Sequence, residues 1–239
     1  MIQALRAKLT AMRRSIRDWV SSPERQSFSL NGLDLKLARH LTKRCGTFIE
    51  AGANDGQTQS NTLYFEQYLG WSGLLVEPVP SLAEQCRRNR PRCWVANFAL
   101  VPLGDAPAEI EMWSCGLMSF VEGSFKTEEE ASSHLRTSQD CEQPKPERVR
   151  VPTRSLSALL DEYRMPRVDL LSLDVEGFEA PALRGIDFNR HVIDYILVEA
   201  RYRAEVDKVL LPHYDLVEEL TARDLLYRKK PARKSLRQS

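Results

Sequence analysis

Thr-Phe-Ile-Glu-Ala-Gly-Ala-Asn-Asp-Gly, residues 47–56, decides how the rest of the chain is read. The first five residues, Thr47–Ala51 (TFIEA), have strand character and run straight into a turn, Gly52-Ala53-Asn54-Asp55-Gly56. Gly52 and Gly56 allow positive φ and close backbone approach, and Asn54 tolerates left-handed geometry better than most residues. A helix is expected next, from about Thr58 to Leu69, with its first amide N–H groups aimed at an anionic group over the turn. A strand, a glycine turn and a helix make the opening unit of an open α/β sheet, where ligands bind beyond the carboxyl ends of the strands.

Strands and helices alternate outward from that unit. Gly73–Glu77 (GLLVE) reads as a second strand, Pro80–Arg90 as a helix and Cys93–Leu100 as a third strand. Shorter strands over Ala108–Trp113 and Arg148–Thr153 flank a polar stretch, 114–146, with few aliphatic residues. Ser155–Tyr163 has the pattern of a helix capped by Ser155. Val168–Asp174 (VDLLSLD) and Ile193–Ala200 (IDYILVEA) are strongly apolar strands, separated by a short helix near Glu179–Leu183. Tyr214–Leu220 and Asp224–Lys229 close the pattern as an antiparallel hairpin. Buried strands alternating with helices predict an α/β fold with a mostly parallel sheet covered on both faces.

The chain has 239 residues, of which 42% are hydrophobic, with 34 basic and 33 acidic side chains. That composition excludes disorder along the whole chain. No run approaches the ~20 apolar residues that a membrane-crossing helix needs. The five cysteines form no C-x-x-C pair and the four histidines lie far apart, so neither a zinc site nor a disulfide framework is expected. A reducing cytosol is the natural compartment.

Charge gathers at the ends. Residues 1–22 carry +4 and residues 223–239 carry +6, which leaves the body at −9. An acidic body argues against nucleic acid as a partner, because phosphate backbones need a broad basic face. Ile2, Leu5, Leu9, Met12, Ile16 and Trp19 make a seam on a basic helix over 1–22. Such a helix suits packing on its own domain, self-association, or peripheral contact with the inner face of a membrane. The body, 23–230, reads as one domain, and 231–239 as a basic tail.

A nucleotide signal follows from the second strand. Glu77 ends it, 21 positions after Gly56, where an acid can accept hydrogen bonds from both hydroxyls of a ribose. Pro78 and Pro80 stiffen the backbone beyond it. A dinucleotide turn needs G-x-G-x-x-G for pyrophosphate, yet here Asn54 takes the second glycine position and Glu50 precedes the turn. Pyrophosphate is disfavoured beside Glu50 and Asp55, whereas a sulfonium carrying an ammonium group is favoured. The charge pattern therefore points to S-adenosylmethionine. An NAD(P)-dependent oxidoreductase and a non-catalytic nucleotide-binding module on the same fold stay open as alternatives.

Four stretches together carry a family resemblance: FIEAGANDG at 48–56, GLLVEP at 73–78, NFAL at 97–100 and DVEGFE at 174–179. Their order and spacing resemble the FkbM-type methyltransferases over roughly 46–228. The resemblance implies a Rossmann-like class I fold with seven strands, and O-methylation of a small-molecule or glycan acceptor such as a sugar or natural product. It also implies that Glu50, Gly52 and Asn54 meet the methionine part of the donor and Glu77 its ribose, with Asn97–Ala99 passing the adenine. The expected donor-binding set is then Glu50, Gly52, Ala53, Asn54, Gly56, Glu77, Pro78, Asn97 and Ala99.

Asp174 and Glu176 are the expected catalytic pair. At spacing i, i+2 they share one side if the strand persists that far, facing the crevice beside the donor. Two like charges in a partly dry site push one pKa upward, which suits a general base or a shared proton. With Glu199 at the end of the next strand they also offer oxygen ligands to a divalent cation. Residues 114–146 are expected to form a mobile cover over the acceptor, since a long insertion is uncommon in compact domains unless functional or disordered.

Overall fold

The two faces of one short strand divide the core in two. Thr47–Ala51 forms strand β1, and because successive side chains point to opposite sides, Phe48 enters one apolar cluster while Ile49 and Ala51 enter the other. The second strand, β2 (Ser72–Val76), repeats the alternation: Leu75 joins Phe48, and Leu74 and Val76 join Ile49. The computed structural model describes residues 26–104, 106–140 and 145–231. The helix expected over 1–22, and all of the tail beyond Pro231, lie outside the described residues.

In chain order the next strands are β3 (Trp94–Ala96), β4 (Ala99–Leu100), β5 (Glu109–Ser114), β6 (Phe120–Val121) and β7 (Glu147–Arg154). They are followed by β8 (Arg167–Leu173), β9 (Val192–Glu199), β10 (Tyr214–Glu219) and β11 (Asp224–Lys229). Seven of them form the main sheet, in the order β10-β11-β9-β8-β1-β2-β3. Pairing is parallel from β3 to β9, while β11 runs antiparallel to both β9 and β10. Helices Leu33–Leu37, Leu63–Leu69 and Pro80–Asn89 cover the Phe48 side; Leu156–Glu162, Glu179–Leu183 and Arg203–Leu210 cover the Ile49 side. The fold is the expected Rossmann-like α/β arrangement, with its antiparallel hairpin at the end. Among the described residues no helix is long and apolar enough to cross a membrane.

Three elements differ from expectation. The stretch 93–100 is not one strand: β3 ends at Ala96, and β4 leaves to pair in parallel with β7 in a second sheet of order β4-β7-β5-β6. Asn97 makes the break, its side-chain amide donating to the carbonyls of Glu77 (2.8 Å) and Pro78 (2.7 Å). The insertion 114–146 carries a 3-10 turn at Gly116–Met118, strand β6 and the helix Glu128–Asp140. Finally, the helix expected from Thr58 begins at Leu63, so no helix start faces the glycine turn.

The late helix start has a cause in a buried ion network. Glu50 accepts hydrogen bonds from the Ser60 hydroxyl (2.8 Å), the Asn61 amide (2.7 Å) and the Thr62 hydroxyl (2.6 Å), which holds 60–62 against β1 as a loop. Beneath the loop lies Arg90, only 1% exposed. Its guanidinium pairs with Glu66 and donates to the Gly56 carbonyl (2.9 Å) and to the hydroxyls of Ser60 and Thr62 (3.2 Å each). The Glu50 carboxylate lies 3.7 Å away. Burial alone would push the Glu66 carboxyl up, but Arg90 holds it below the usual range. A buried cation paired and hydrogen-bonded in this way is tolerated; one partner alone is not. Arg90→Met should therefore lower unfolding stability by about 3–5 kcal/mol, because it strands buried carboxylates. Urea unfolding of the variant beside the wild type measures the difference.

Candidate active site

At the carboxyl ends of β1, β2 and β8 lies a cavity of about 630 Å³. Gly52 and Asn54 line it from the turn after β1, Glu77 and Pro78 from the end of β2, and Phe98 and Ala99 from the chain between the sheets. Asp174 and Glu176 enter from the end of β8, and Gly116–Val121 of the insertion supply further wall. Every charged residue of that lining is an acid. Such a wall suits a cationic sulfonium and ammonium better than a pyrophosphate.

Glu77 is buried, and both carboxylate oxygens already serve the fold. One accepts from the Asn54 amide and the other from the Val79 amide, each at 2.9 Å. Burial pushes its pKa up to about 7 against those two bonds. Each oxygen keeps a second lone pair for a ribose hydroxyl. Asn54 sits at φ 49°, and its carbonyl accepts from the buried Cys86 thiol (2.9 Å), so the turn is pinned from two sides.

Gly52 is required for a reason other than the donor. A Cβ on it would stand 1.7 Å from the Asp174 carbonyl oxygen, so the ends of β1 and β8 meet backbone to backbone. Strand β8 stops at Leu173, which corrects the expectation that the strand carries Asp174 and Glu176 to one side. The chain turns instead through Glu176 (φ 49°) and Gly177 (φ 93°), and both acids still reach the cavity. Burial pushes the Asp174 carboxyl well above the usual range, reinforced by Glu199, with which it shares a hydrogen bond, and by Glu176.

Glu176 has different company. Burial raises its pKa while Arg201, 3.1 Å away, opposes the rise. Arg201 stacks over the Phe125 ring at 4.8 Å, and His134 lies 3.9 Å from the Glu176 carboxylate. His134 belongs to the insertion's helix, and its Nε2 lies 2.9 Å from the Met118 carbonyl oxygen. Burial pulls its pKa down, keeping it neutral more readily than a surface histidine. The Ser124 hydroxyl donates to the Glu176 carbonyl (3.2 Å), so the insertion is fastened to the catalytic turn at several points.

Not all expected site residues reach the cavity. Gly52, Asn54, Glu77, Pro78, Ala99, Asp174 and Glu176 line it; Glu50, Ala53, Gly56, Asn97 and Glu199 do not. Glu50 braces the loop 60–62, and Asp55 turns back on the amides of Gln57 and Thr58. Gly56 packs against Arg90 and Cys86, and Asn97 ties the Glu77–Pro78 turn. Among the described residues no group of three or more histidine, cysteine or carboxylate side chains is arranged to hold a metal ion. Glu176 turns to Arg201 rather than to Glu199. Arg201 and His134 were not found from the sequence, and Phe98 only as part of the stretch Asn97–Ala99. Only the aromatic Phe98, inside NFAL, carried a local signal.

Fold and site together define a Rossmann-like protein with an acid-lined cavity at its carboxyl edge. Residues 50–228 match the family described as "Methyltransferase FkbM domain", and the chain belongs to that family of S-adenosylmethionine-dependent methyltransferases. The nicotinamide and non-catalytic alternatives are thereby set aside. Distant similarity extends to a TehB-like SAM-dependent methyltransferase from Corynebacterium glutamicum, at 11% identity over 94% of this chain and 99% of that one (TM-score 0.41). A methyltransferase from Geobacter sulfurreducens is similar at 14% identity over 93% and 89% (TM-score 0.41). The Burkholderia thailandensis 1,6-didemethyltoxoflavin-N1-methyltransferase is similar at 13% identity over 96% and 89% (TM-score 0.41). No curated protein matches the chain.

Two outcomes follow from the donor side. Affinity for S-adenosylhomocysteine should fall as pH is lowered through about 7, where Glu77 gains a proton and loses an acceptor for the ribose. Glu77→Gln should flatten that dependence, and calorimetry across pH reads both. Gly52→Ala should abolish donor binding and lower thermal stability together, because its methyl group meets the Asp174 backbone rather than only the ligand. Melting curves with and without S-adenosylhomocysteine show whether the two losses coincide.

Proposed function

We propose that this protein transfers a methyl group from S-adenosylmethionine to a hydroxyl oxygen of a sugar, glycan or hydroxylated natural product. The observation that carries the reading is the place of Asp174 on the donor cavity wall, where burial and neighbouring acids oppose its ionisation. Once ionised, such a group is a stronger base than an ordinary aspartate, which is what removal of a hydroxyl proton needs. Bound S-adenosylmethionine supplies the methyl as an electrophile on a positive sulfonium. Glu77 and Asn54 hold the nucleoside, and Pro78 and Ala99 form its walls. Asp174 receives the hydroxyl proton as the oxygen–carbon bond forms and the carbon–sulfur bond breaks. Glu176, kept in place by Arg201, contributes negative charge beside the sulfonium.

The cytosol is the proposed compartment, supported by the four described free thiols Cys45, Cys86, Cys93 and Cys115.

Turnover should rise with pH as Asp174 loses its proton, and Asp174→Asn should remove that rise while lowering kcat by about 100-fold or more. Glu176→Gln should lower kcat in the same direction. Affinity for S-adenosylhomocysteine should stay near wild type in both. Labelled methyl transfer to hydroxylated metabolite extracts, with O-methyl groups identified by NMR, measures the activity. Wild-type rates in Asp174→Asn would remove it as the base.

A further inference from the structure

A second cavity, of about 930 Å³, opens at the same edge of the sheet on the far side of the β1–β8 contact. It shares only Gly52 and Asp174 with the donor cavity. It is lined by Glu199, by Thr221–Asp224, and by Thr58, Gln59 and Asn61. The donor cavity, by contrast, is lined in part by Gly116, Leu117 and Ser119–Val121 of the insertion. A molecule in the second cavity therefore meets the donor cavity at Asp174.

We infer that this second cavity is the acceptor site, and that it takes a hydroxyl-rich molecule without anionic groups. The inference rests on the hydroxyl-directed reading above. The charged lining is Asp174, Glu199 and Asp224 against Arg223 alone, so a phosphate or carboxylate on the acceptor is disfavoured. Arg223 is itself drawn to Glu199, at 3.8 Å. The Asn61 side-chain oxygen is buried without a hydrogen-bond partner, although its amide nitrogen donates to the Ser172 hydroxyl (3.1 Å). The carboxylates of Asp174, Glu199 and Asp224 accept hydrogen bonds, and hydroxyl groups are donors that carry no negative charge. Exposed Leu30 at the rim offers an apolar surface to the C–H face of a ring.

The frame is built in advance. Ser29 bridges to Gln59, and Asp34 holds the approach to the rim through the Phe28 amide (2.7 Å) and the Ser27 hydroxyl (2.6 Å). The Lys36 ammonium donates to the Leu220 carbonyl at 2.9 Å, joining that segment to the opposite wall. Within the wall, the Asp224 amide donates to the Thr221 hydroxyl at 3.0 Å. Walls fixed before binding lower the ordering cost of a weakly anchored ligand.

Hydrogen exchange tests the site without relying on turnover. The S-adenosylhomocysteine complex is measured alone and with methyl glycosides of glucose, mannose, galactose and rhamnose as probes. At least one glycoside should protect peptides spanning 57–62 and 219–225. Ala222→Trp, at an exposed position of the rim, should weaken that glycoside's binding at least about tenfold, or ~1.4 kcal/mol, and leave S-adenosylhomocysteine affinity unchanged. Protection confined to 114–122, or none with any glycoside, overturns the inference. Stronger protection by glucose 6-phosphate than by the glucoside overturns the exclusion of anionic acceptors. Loss of S-adenosylhomocysteine affinity in Ala222→Trp would show that the cavity holds part of the donor, and also overturns it. O-methyl product is scored separately. Protection without product counts against the proposed activity alone, and product without protection counts against the site alone.

Discussion

The single cation of Arg90, closed off from water, sets the shape of the carboxyl edge of the sheet. It gathers a carboxylate from β1, another from the helix Leu63–Leu69, and the carbonyl and hydroxyls of the loop between them. Without that cation Glu50 and Glu66 would share a dry interior with only the exposed Arg92 beside Glu66, and the loop held by Glu50 would lose its bonds to the guanidinium. With it, the loop is drawn down, the helix starts late, and Gly52 and Asn54 are left facing the cavity. The network stands behind the site and does not line it.

A second constraint works at the front. Contact between Gly52 and the Asp174 carbonyl brings the turn after β1 and the end of β8 together with no side chain between them. The donor cavity thus has its ribose acid, Glu77, on β2 and its buried aspartate on β8, held by parallel strands on either side of β1. Parallel pairing fixes the separation of these acids more firmly than loops would. The raised pKa of Asp174 follows from the same compactness, since burial and the nearby carboxylates of Glu199 and Glu176 all oppose its ionisation.

What was legible in the sequence follows from how local each signal is. β1, β2, β8 and β9 stand out because strands buried on both faces read as largely apolar runs. Glu77 and Asp174 were legible because each ends such a run. The break at Asn97 was not, because it depends on carbonyls 19 and 20 residues away. Glu50 looked like a ligand to the donor because it precedes the turn. Its bonds to 60–62 and its approach to Arg90 are tertiary, and they turn it into a brace. Arg201 and His134 meet Glu176 from distant parts of the chain, with no spacing rule to announce them.

The insertion enters and leaves the fold through one doorway. Ser114 and Glu147 are paired partners on neighbouring antiparallel strands, so the chain between them begins and ends at nearly the same place. Lengthening or shortening such a segment changes its closure entropy only slowly, by about 0.6 kcal/mol per doubling. The seven-stranded sheet is therefore indifferent to how elaborate the segment becomes. A scaffold of this kind separates inheritance from adaptation: the donor turn and its buried cation can be kept intact while the roof is rewritten.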